Sequence, residues 1–227
     1  MRKANKKFSV EKAHKAQLSL SKKIIFKDEL PRKIRYVAGV DVAYTKNLSI
    51  GAVAVLDYNA LKLLEYNTAI CETRFPYIPT LLSFREIPPA VSSIKKLQIC
   101  PDVLLVDGHG FAHPYHCGFA SHLGLVLRKP TIGVAKGRLF GEAEKCASGE
   151  VVSFLKHNGK VIGATLIAKS GFKPVYVSVG HMVSLETAIK IVQHCTLASR
   201  IPEPILKAHE IATLEKRKIN MRITINE

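Results

Sequence analysis

The sequence contains no tryptophan, and its seven tyrosines and nine phenylalanines form no repeated aromatic motif of the kind found in RNA-binding modules. Its five cysteines are odd in number and scattered, and no two of them form a Cys-x-x-Cys pair. This pattern argues against a disulfide framework and against structural zinc, and it fits a reducing compartment. The cysteines are Cys71, Cys100, Cys117, Cys146 and Cys195.

Long apolar runs are also missing from the chain. No stretch of about 18 apolar residues occurs anywhere, so we expect no membrane-spanning helix. The N-terminus is basic, but no long apolar stretch follows it, so we do not interpret it as a secretory signal peptide. We therefore expect a cytoplasmic protein.

Acidic residues are few in this chain. Eighteen aspartates and glutamates stand against 34 lysines and arginines, which gives a formal net charge of +16 and a sequence pI near 9.7. A field of this sign attracts polyanions, of which nucleic acid is the commonest. The length of 227 residues suits a single domain over residues 1–227, with a basic N-terminal helix within residues 1–34 packed on it.

Apolar periodicity predicts an α/β protein with a mixed sheet flanked by helices. Three strand-like runs come first and predict an antiparallel meander, and alternating helices and strands then predict parallel crossover units. The predicted strands are 35–43, 50–57, 61–71, 103–107, 131–135, 161–168 and 175–180. The predicted helices are 8–26, a segment ending at Leu97, 116–127, 184–197 and one that starts after Pro204.

Two of the chain's five aspartates, Asp41 and Asp107, lie inside apolar, strand-like runs. A carboxylate that enters a core is costly unless it is paired or bound to a metal, and no lysine or arginine is adjacent to either residue. At about 4 Å and an effective dielectric of ~20, two such charges repel by roughly 4 kcal/mol, which Mg²⁺ or Mn²⁺ would reverse. The alternative is that both are solvated carboxylates at strand ends.

Glu86 is a third candidate acid. It lies near the end of a loop, just before Ile-Pro-Pro, and from there its side chain could point back at the sheet. Metal-assisted phosphodiester hydrolysis needs clustered carboxylates, and Asp41, Glu86 and Asp107 would be enough for one or two cations. A solvated helix glutamate is the alternative for Glu86.

A glycine- and histidine-rich loop follows Asp107 and contains His109, His113 and His116. Their spacing fits no common zinc finger, so a histidine that donates a proton or contacts a phosphate is favoured over a zinc site. Gly108 would allow the backbone to approach a ligand closely. The alternative is a turn stabilised by histidine hydrogen bonds.

Lys136 directly follows the predicted strand 131–135, and it would lie at the same sheet end as Asp107 if the two strands are parallel. In that position it would offset phosphate charge close to a metal. The alternative is an ordinary surface lysine, of the kind that forms a diffuse field for a nucleic-acid backbone.

The residues Pro76, Tyr77, Ile78 and Pro79 form a rigid apolar loop tip. Such a tip usually packs in a core. It can also wedge between bases and hold a duplex open after a base has been flipped out. The residues alone leave both interpretations open.

Seven segments, in order, resemble the endonuclease V family, the deoxyinosine 3′ endonucleases. The resemblance runs from about residue 35 to residue 209. The segments are Val-Ala-Gly-Val-Asp-Val-Ala-Tyr (37–44), Pro-Tyr-Ile-Pro-x-Leu-Leu-Ser-Phe-Arg-Glu (76–86), Val-Asp-Gly-His-Gly-x-x-His-Pro (106–114), Ala-Ser-His-Leu-Gly (120–124), Thr-Ile-Gly-Val-Ala-Lys-x-Arg-Leu (131–139), Gly-His-x-Val-Ser (180–184) and Arg-Ile-Pro-Glu-Pro (200–204).

The resemblance implies a ribonuclease H-like fold, in which the first and fourth strands are adjacent. It also implies Mg²⁺-dependent hydrolysis of the second phosphodiester bond 3′ to a hypoxanthine base, and we expect Mn²⁺ to substitute. Asp41 and Asp107 match the family's metal ligands, Glu86 matches its third acid, and His209 matches a position that is close to the metal in some members. The implied partner is DNA that contains deoxyinosine.

The resemblance also implies how the substrate is held. His113 and Lys136 match positions near the scissile phosphate, and Tyr77 matches the wedge that separates the strands beside the lesion. The flipped base is read largely by main-chain groups, which here belong to Leu82 and Gly108.

Thr80 departs from the family pattern, in which glycine or alanine is common at this position. A β-branched residue tolerates positive φ and close approach of a base less well, so we expect a changed pocket shape and a changed strictness for inosine.

Three rival functions stay open. A non-catalytic nucleic-acid-binding module would explain the charge, although carboxylates without a metal would repel phosphate. A base-excising glycosylase would need no metal cluster. The same hydrolysis could act on inosine-containing RNA, where recognition of the 2′-OH decides. We expect a monomer in each case.

Overall fold

The computed structural model describes residues 9–144, 151–167 and 171–226, and these form a nine-stranded mixed sheet with helices on both faces. The strands are β1 (Tyr36–Thr45), β2 (Leu48–Asp57), β3 (Leu63–Glu72), β4 (Val103–Asp107), β5 (Thr131–Ala135), β6 (Glu142–Ala143), β7 (Val152–His157), β8 (Lys160–Leu166) and β9 (Val175–His181). The helices are α1 (Val10–Ser21), α2 (Ser83–Ile94), α3 (Phe119–Leu127), α4 (Leu185–His194) and α5 (Glu203–Asn226), with a 3₁₀ turn at Pro79–Leu81. None of the described helices is long and apolar enough to cross a membrane.

The strand order across the sheet is β3-β2-β1-β4-β5-β9-β8-β7-β6. Strands β1 to β3 form the predicted antiparallel meander, β4 pairs in parallel with β1, and β5 pairs in parallel with β4. The α/β mixed sheet and the adjacency of the first and fourth predicted strands are confirmed. Because Val40 pairs with Val106, the residues that follow them, Asp41 and Asp107, lie side by side at one end of the sheet.

Alternating residues of the two central strands divide the core between the two faces of the sheet. Val37 of β1 and Leu105 of β4 pack in a cluster with residues of α4 and α5, whereas the intervening residues pack against α2 and α3. Side chains alternate along a strand, so Asp41 lies on the face of Val37 and Asp107 on the face of Leu105. Both carboxylates are therefore on the α5 face.

Helix α5 begins in direct contact with β1. A Cβ added at Gly39 would lie only 1.8 Å from the carbonyl oxygen of Pro204, so a glycine is required at this crossing. Ala208 and Ala212, which are one and two turns along α5, are fully buried. This tight packing sets the position of His209, the neighbour of Ala208, relative to the sheet.

Helix α1 is shorter than the predicted helix 8–26, because it ends at Ser21. The backbone N–H of Ile25 donates to His181 Nδ1 at 3.2 Å, and its carbonyl accepts from Met182 N at 2.8 Å. Ile24 is buried in the core. The apolar residues at 24 and 25 therefore reflect the packing of an extended segment, and Phe8 lies outside the described residues.

Two strands, β6 and β7, were missing from the prediction. In β7 only Ser153 and Leu155 are buried, so the apolar alternation that marks a strand is nearly absent from its sequence. Other boundaries differ by a few residues: α3 begins at Phe119, α4 ends at His194, and β8 runs over Lys160–Leu166. The end of the predicted strand 161–168 lies outside the described residues.

Candidate functional site

The two aspartates predicted as metal ligands lie together, and each already contacts a cationic or ionisable side chain. Their side chains are only 13% exposed for Asp41 and 15% for Asp107. Asp41 Oδ1 accepts from the backbone N–H of Val42 at 2.7 Å, and Oδ2 lies 2.8 Å from His209 Nδ1. Asp107 Oδ2 accepts from Lys136 Nζ at 2.5 Å.

One ligand atom each from Asp41, Asp107 and His209 lies within 4.8 Å of the other two. The parallel pairing of β1 with β4 brings the aspartates together, and α5 supplies the histidine. Two carboxylate oxygens and an imidazole nitrogen form a donor set that a divalent cation can bind, with Mg²⁺ favouring the oxygens and Mn²⁺ accepting both kinds of atom.

Glu86 belongs to the same electrostatic cluster, although it comes from the opposite face of the sheet. It lies in the first turn of α2, not at the end of a loop as predicted, because α2 begins at Ser83. Burial, followed by the negative charges of Asp41 and Asp107, raises the pKa of Glu86 to about 8. The three carboxyl groups are thus close enough to repel one another.

Asp107 is affected in the same way. Burial and the charge of Asp41 raise its pKa, while the hydrogen bond from Lys136 and the charges of Lys136 and His209 oppose the rise. A cation at this point would supply the positive charge that the three carboxyl groups lack. The residues present therefore fit a divalent metal ion.

The structure places Lys136 just beyond the last residue of β5, which is parallel to β4. Its contact with Asp107 follows from that pairing, as the sequence predicts for parallel strands. Its assignment to the scissile phosphate stays a prediction, and so do the ligand assignments of Asp41, Asp107, Glu86 and His209.

Asp107 also lines a cavity of about 180 Å³. We call it the base pocket. Both residues predicted to read the base, Leu82 and Gly108, line it, together with Glu86 and His113. The base pocket is therefore next to the carboxyl cluster and shares two acids with it.

His113 is buried in the wall of the base pocket and is only 4% exposed. Its Nδ1 accepts from the backbone N–H of Tyr115 at 3.1 Å, and its ring also hydrogen-bonds the backbone of Thr80. Burial, followed by the charge of His109, lowers the pKa of His113 to about 4. His113 is thus a neutral imidazole with both nitrogens engaged, and its predicted role near the phosphate remains untested.

Comparison with known proteins identifies the family. The family model described as Endonuclease V matches residues 18–210. This chain belongs to the endonuclease V family.

Relatives cover nearly the whole chain. Endonuclease V of Thermofilum pendens is 44% identical over 211 residues, which make up 92% of this chain and 90% of the relative. Endonuclease V of Nostoc sp. is 45% identical over 208 residues, which make up 90% of this chain and 94% of the relative. The resemblance found in the sequence is thereby confirmed.

Solved structures of the family share the fold. The crystal structure of endonuclease V from Streptomyces avermitilis matches with a TM-score of 0.88 at 34% identity, covering 96% of this chain and 97% of that one. The Ciona intestinalis endonuclease V, in complex with a 24mer DNA containing an inosine followed by a ribo-adenosine, matches with a TM-score of 0.84 at 33% identity, covering 92% and 98%.

Thr80, the departure from the endonuclease V pattern, does not adopt the backbone conformation that a β-branched residue tolerates poorly. It is not among the described residues with positive φ. Its hydroxyl lies 2.9 Å from His14 Nε2, and the His14 ring stacks on Tyr115 at 3.9 Å between centroids. Gln17 Nε2 donates to the Thr80 carbonyl at 2.9 Å, so helix α1 holds this loop of the base pocket.

Sequence reasoning missed His14 and Gln17. Gln17 is a fully buried polar residue in a helix whose sequence otherwise resembles a basic surface helix, and its burial is visible only in the structure. Its amide also donates to the Cys117 carbonyl at 3.0 Å. Because these partners are 63 and 100 residues away in sequence, no local pattern could reveal them.

The loop tip at residues 76–79 is exposed at Tyr77, whose side chain is 70% exposed, so Tyr77 does not pack in the core. The Arg85 guanidinium lies 4.6 Å from the Tyr44 ring centroid and 5.7 Å from that of Tyr77. Cation–π contact of this kind stabilises an aromatic ring on the surface. The wedge role of Tyr77 stays a prediction, and the exposure is compatible with it.

We predict that Mg²⁺ and Mn²⁺ raise the thermal stability of the protein, because a cation relieves the repulsion among the three carboxyl groups. At a cation concentration about 100 times the dissociation constant, the gain would be about 2.7 kcal/mol. The measurement is a cation titration of the unfolding midpoint for the wild type and for Asp107→Asn, which should not respond.

Glu72→Gln is the matched control. Glu72 is an exposed acid paired with Arg74, and this variant loses one negative charge just as Asp107→Asn does. It should respond like the wild type. An equal response of Asp107→Asn and the wild type would show that the cation binds elsewhere.

Proposed function

We propose that this protein is a metal-dependent endonuclease that recognises deoxyinosine in DNA and hydrolyses the second phosphodiester bond 3′ to it. The products would be a 3′-hydroxyl and a 5′-phosphate. Membership of the endonuclease V family supports the nuclease class. The relative from Ciona intestinalis, solved with a DNA that contains an inosine, supports the lesion.

The observation that carries the proposal is the convergence of Asp41, Asp107 and His209 within 4.8 Å, with Glu86 beside them. We assign Mg²⁺ to this site, with Mn²⁺ able to replace it. When bound, such a cation stabilises negative charge on a phosphoryl group and lowers the pKa of a coordinated water. Asp41 and Asp107 would hold it, and His209 and Glu86 would complete its surroundings.

In the proposed reaction Lys136 would contact the scissile phosphate in addition to Asp107. Its Nζ now contacts Asp107, and it would turn its positive charge to the scissile phosphate once a cation neutralises that carboxylate. The lysine side chain is 42% exposed, so the ammonium group is accessible to a phosphate oxygen.

The base pocket would receive the flipped hypoxanthine. Enzymes that act beside a damaged base take it out of the stack and hold it in a pocket. Here the backbones of Leu82 and Gly108 would read the base, and buried His113 would support the pocket wall by its bond to Thr80. Residues Pro76 to Pro79 would keep the duplex open, with Tyr77 stacked against the exposed base pair.

The rival functions fit the site less well. A passive binding module gives no reason for three carboxyl groups to converge at one point of a protein with a formal net charge of +16. A glycosylase would leave the cluster without a role. Cytoplasmic location and a monomeric state remain predictions from the sequence.

Inosine-containing RNA is the second candidate substrate. The observation in its favour is that the Ciona intestinalis relative was solved with an inosine followed by a ribo-adenosine. The 2′-OH at that position would decide between the two, so a parallel set of DNA, RNA and mixed oligonucleotides separates them.

We predict a single nick in an end-labelled duplex with one deoxyinosine, at the second phosphodiester bond 3′ to the lesion. The nick should require Mg²⁺, disappear with EDTA, and be lost by at least about 1,000-fold in Asp41→Ala, since the variant cannot hold the cation. Gel analysis of the labelled products gives both the position and the rate.

An undamaged duplex of the same sequence is the substrate control. Binding of the deoxyinosine duplex in a gel shift without any nick in Mg²⁺ would refute the nuclease and leave a protein that reads damaged nucleic acid.

We also predict that Tyr77→Ala slows nicking of the duplex by roughly 10- to 100-fold, because stacking on an aromatic side chain is worth about 1–3 kcal/mol per base. The rate on a single-stranded deoxyinosine oligonucleotide should change by less than about 3-fold, since no strands need to be separated. Tyr66→Ala, at an exposed tyrosine of β3, is the control. Equal losses on both substrates would contradict a wedge role.

A further inference from the structure

Helix α5 continues beyond the part of the chain that the family model matches. The match ends at residue 210, whereas α5 runs from Glu203 to Asn226. The described continuation, residues 211–226, therefore has no role assigned by the family comparison, and its side chains next to the carboxyl cluster need their own explanation.

One face of this continuation lines the cleft that contains the carboxyl cluster. His209 is followed at helical spacing by Thr213, Lys216 and Asn220, and all four line a cleft of about 550 Å³ together with Asp41 and Asp107. The hydroxyl of Thr45, the last residue of β1, donates to Asn220 Oδ1 at 2.5 Å. The helix face is thus anchored to β1 alongside the cleft.

Lys216 and Arg217 make this end of the cleft positive. Both line the cleft, and neither forms an ion pair with another described residue. By contrast, Lys207 and Lys218 of the same helix pair with Glu210 and Glu215. Two positive charges are therefore available to a ligand where the cleft leads away from the carboxyl cluster.

The positions of the cleft and the base pocket indicate which part of a bound strand would reach Lys216 and Arg217. The cleft and the base pocket share only Asp107 among their lining residues, so they extend from the carboxyl cluster in different directions. A strand with its base in the base pocket crosses the cluster and continues into the cleft. Because the proposed cleavage is 3′ to the base, the continuing part of the strand is the 3′ part.

We propose that Thr213, Lys216 and Arg217 form a phosphate-binding site for the strand on the 3′ side of the scissile bond. We call it the α5 track, and it rests on the proposed function. Residues 213–217 span about 6 Å along the helix axis, and one strand of a duplex advances about 3.4 Å per nucleotide, so the track has room for about two nucleotides. Lysine and arginine beside a hydroxyl are side chains that commonly contact phosphate oxygens.

The test measures binding to a deoxyinosine duplex in EDTA, where no cleavage occurs, by fluorescence anisotropy at 50–200 mM salt. The variant carries K216A and R217A together, and the control carries K207A and K218A. Both lose two positive charges from the same helix. Loss of two phosphate contacts should make the negative slope of log K against log salt shallower by about 1.8. It should also weaken binding by roughly 10-fold or more at low salt. The control should keep the wild-type slope and affinity.

The same measurement with shortened duplexes tests the direction. Removing all but one nucleotide on the 3′ side of the scissile bond should weaken wild-type binding about as much as K216A with R217A does, and it should have little further effect on that variant. Shortening the 5′ side should affect both proteins equally. The substitutions K216Q and R217Q repeat the test while keeping a long polar side chain at each position.

Equal losses in variant and control would overturn the α5 track, because the effect would then be one of net charge alone. Undiminished sensitivity of the variant to the 3′ flank would also overturn it. Since the readout is binding, a wild-type protein that binds but never nicks would refute the proposed function and leave the result for the track interpretable.

Discussion

Repulsion among Asp41, Glu86 and Asp107 is the constraint on which the rest of the site depends. The parallel pairing of β1 and β4 brings two of these carboxyl groups to one end of the sheet, and the first turn of α2 brings the third from the other face. Burial, followed by the negative charges of Asp41 and Asp107, raises the pKa of Glu86 to about 8, so keeping all three carboxyl groups ionised at this point is unfavourable. The fold, held by tight contacts such as Gly39 against Pro204, keeps them together despite that cost. A divalent cation would offset that cost, because it would supply positive charge to the three carboxyl groups.

Basic side chains surround the carboxyl cluster. Lys136 and His209 contact the two aspartates, and Lys216 lies farther along the same cleft. In the proposed reaction the acids would hold a cation, and the bases beyond them would contact the phosphates of a strand. The base pocket is lined by Glu86 and Asp107 of the cluster and by buried His113, whose pKa is lowered to about 4 chiefly by burial. The chain has 34 basic and 18 acidic residues, and in this site the acidic side chains are grouped at the cluster while the basic side chains lie around it.

Much of the fold and the centre of the site could be predicted from the sequence, because the signals are local. A carboxylate in an apolar run is costly enough to stand out, so the residues alone single out Asp41 and Asp107. That the two are neighbours was implied only by the resemblance to a family with a ribonuclease H-like sheet. The short strands β6 and β7 were not predicted, since few of their residues follow a clean period. The end of α1 was predicted too late, because Ile24 and Ile25 continue the helical spacing although they belong to an extended segment. The bond between His14 and Thr80 was also beyond reach: its partners are 66 residues apart, and only packing of α1 on the base pocket reveals it.

The sharpest test of a metal site at this cluster is the location of Mn²⁺ by anomalous scattering in crystals of the wild-type protein. We predict a single strong peak between the carboxylates of Asp41 and Asp107, close to His209, and no such peak in crystals of Asp107→Asn grown in the same Mn²⁺ concentration. A peak at another place, or none at millimolar Mn²⁺, would contradict a metal site formed by these carboxyl groups, and with it the explanation of why they converge.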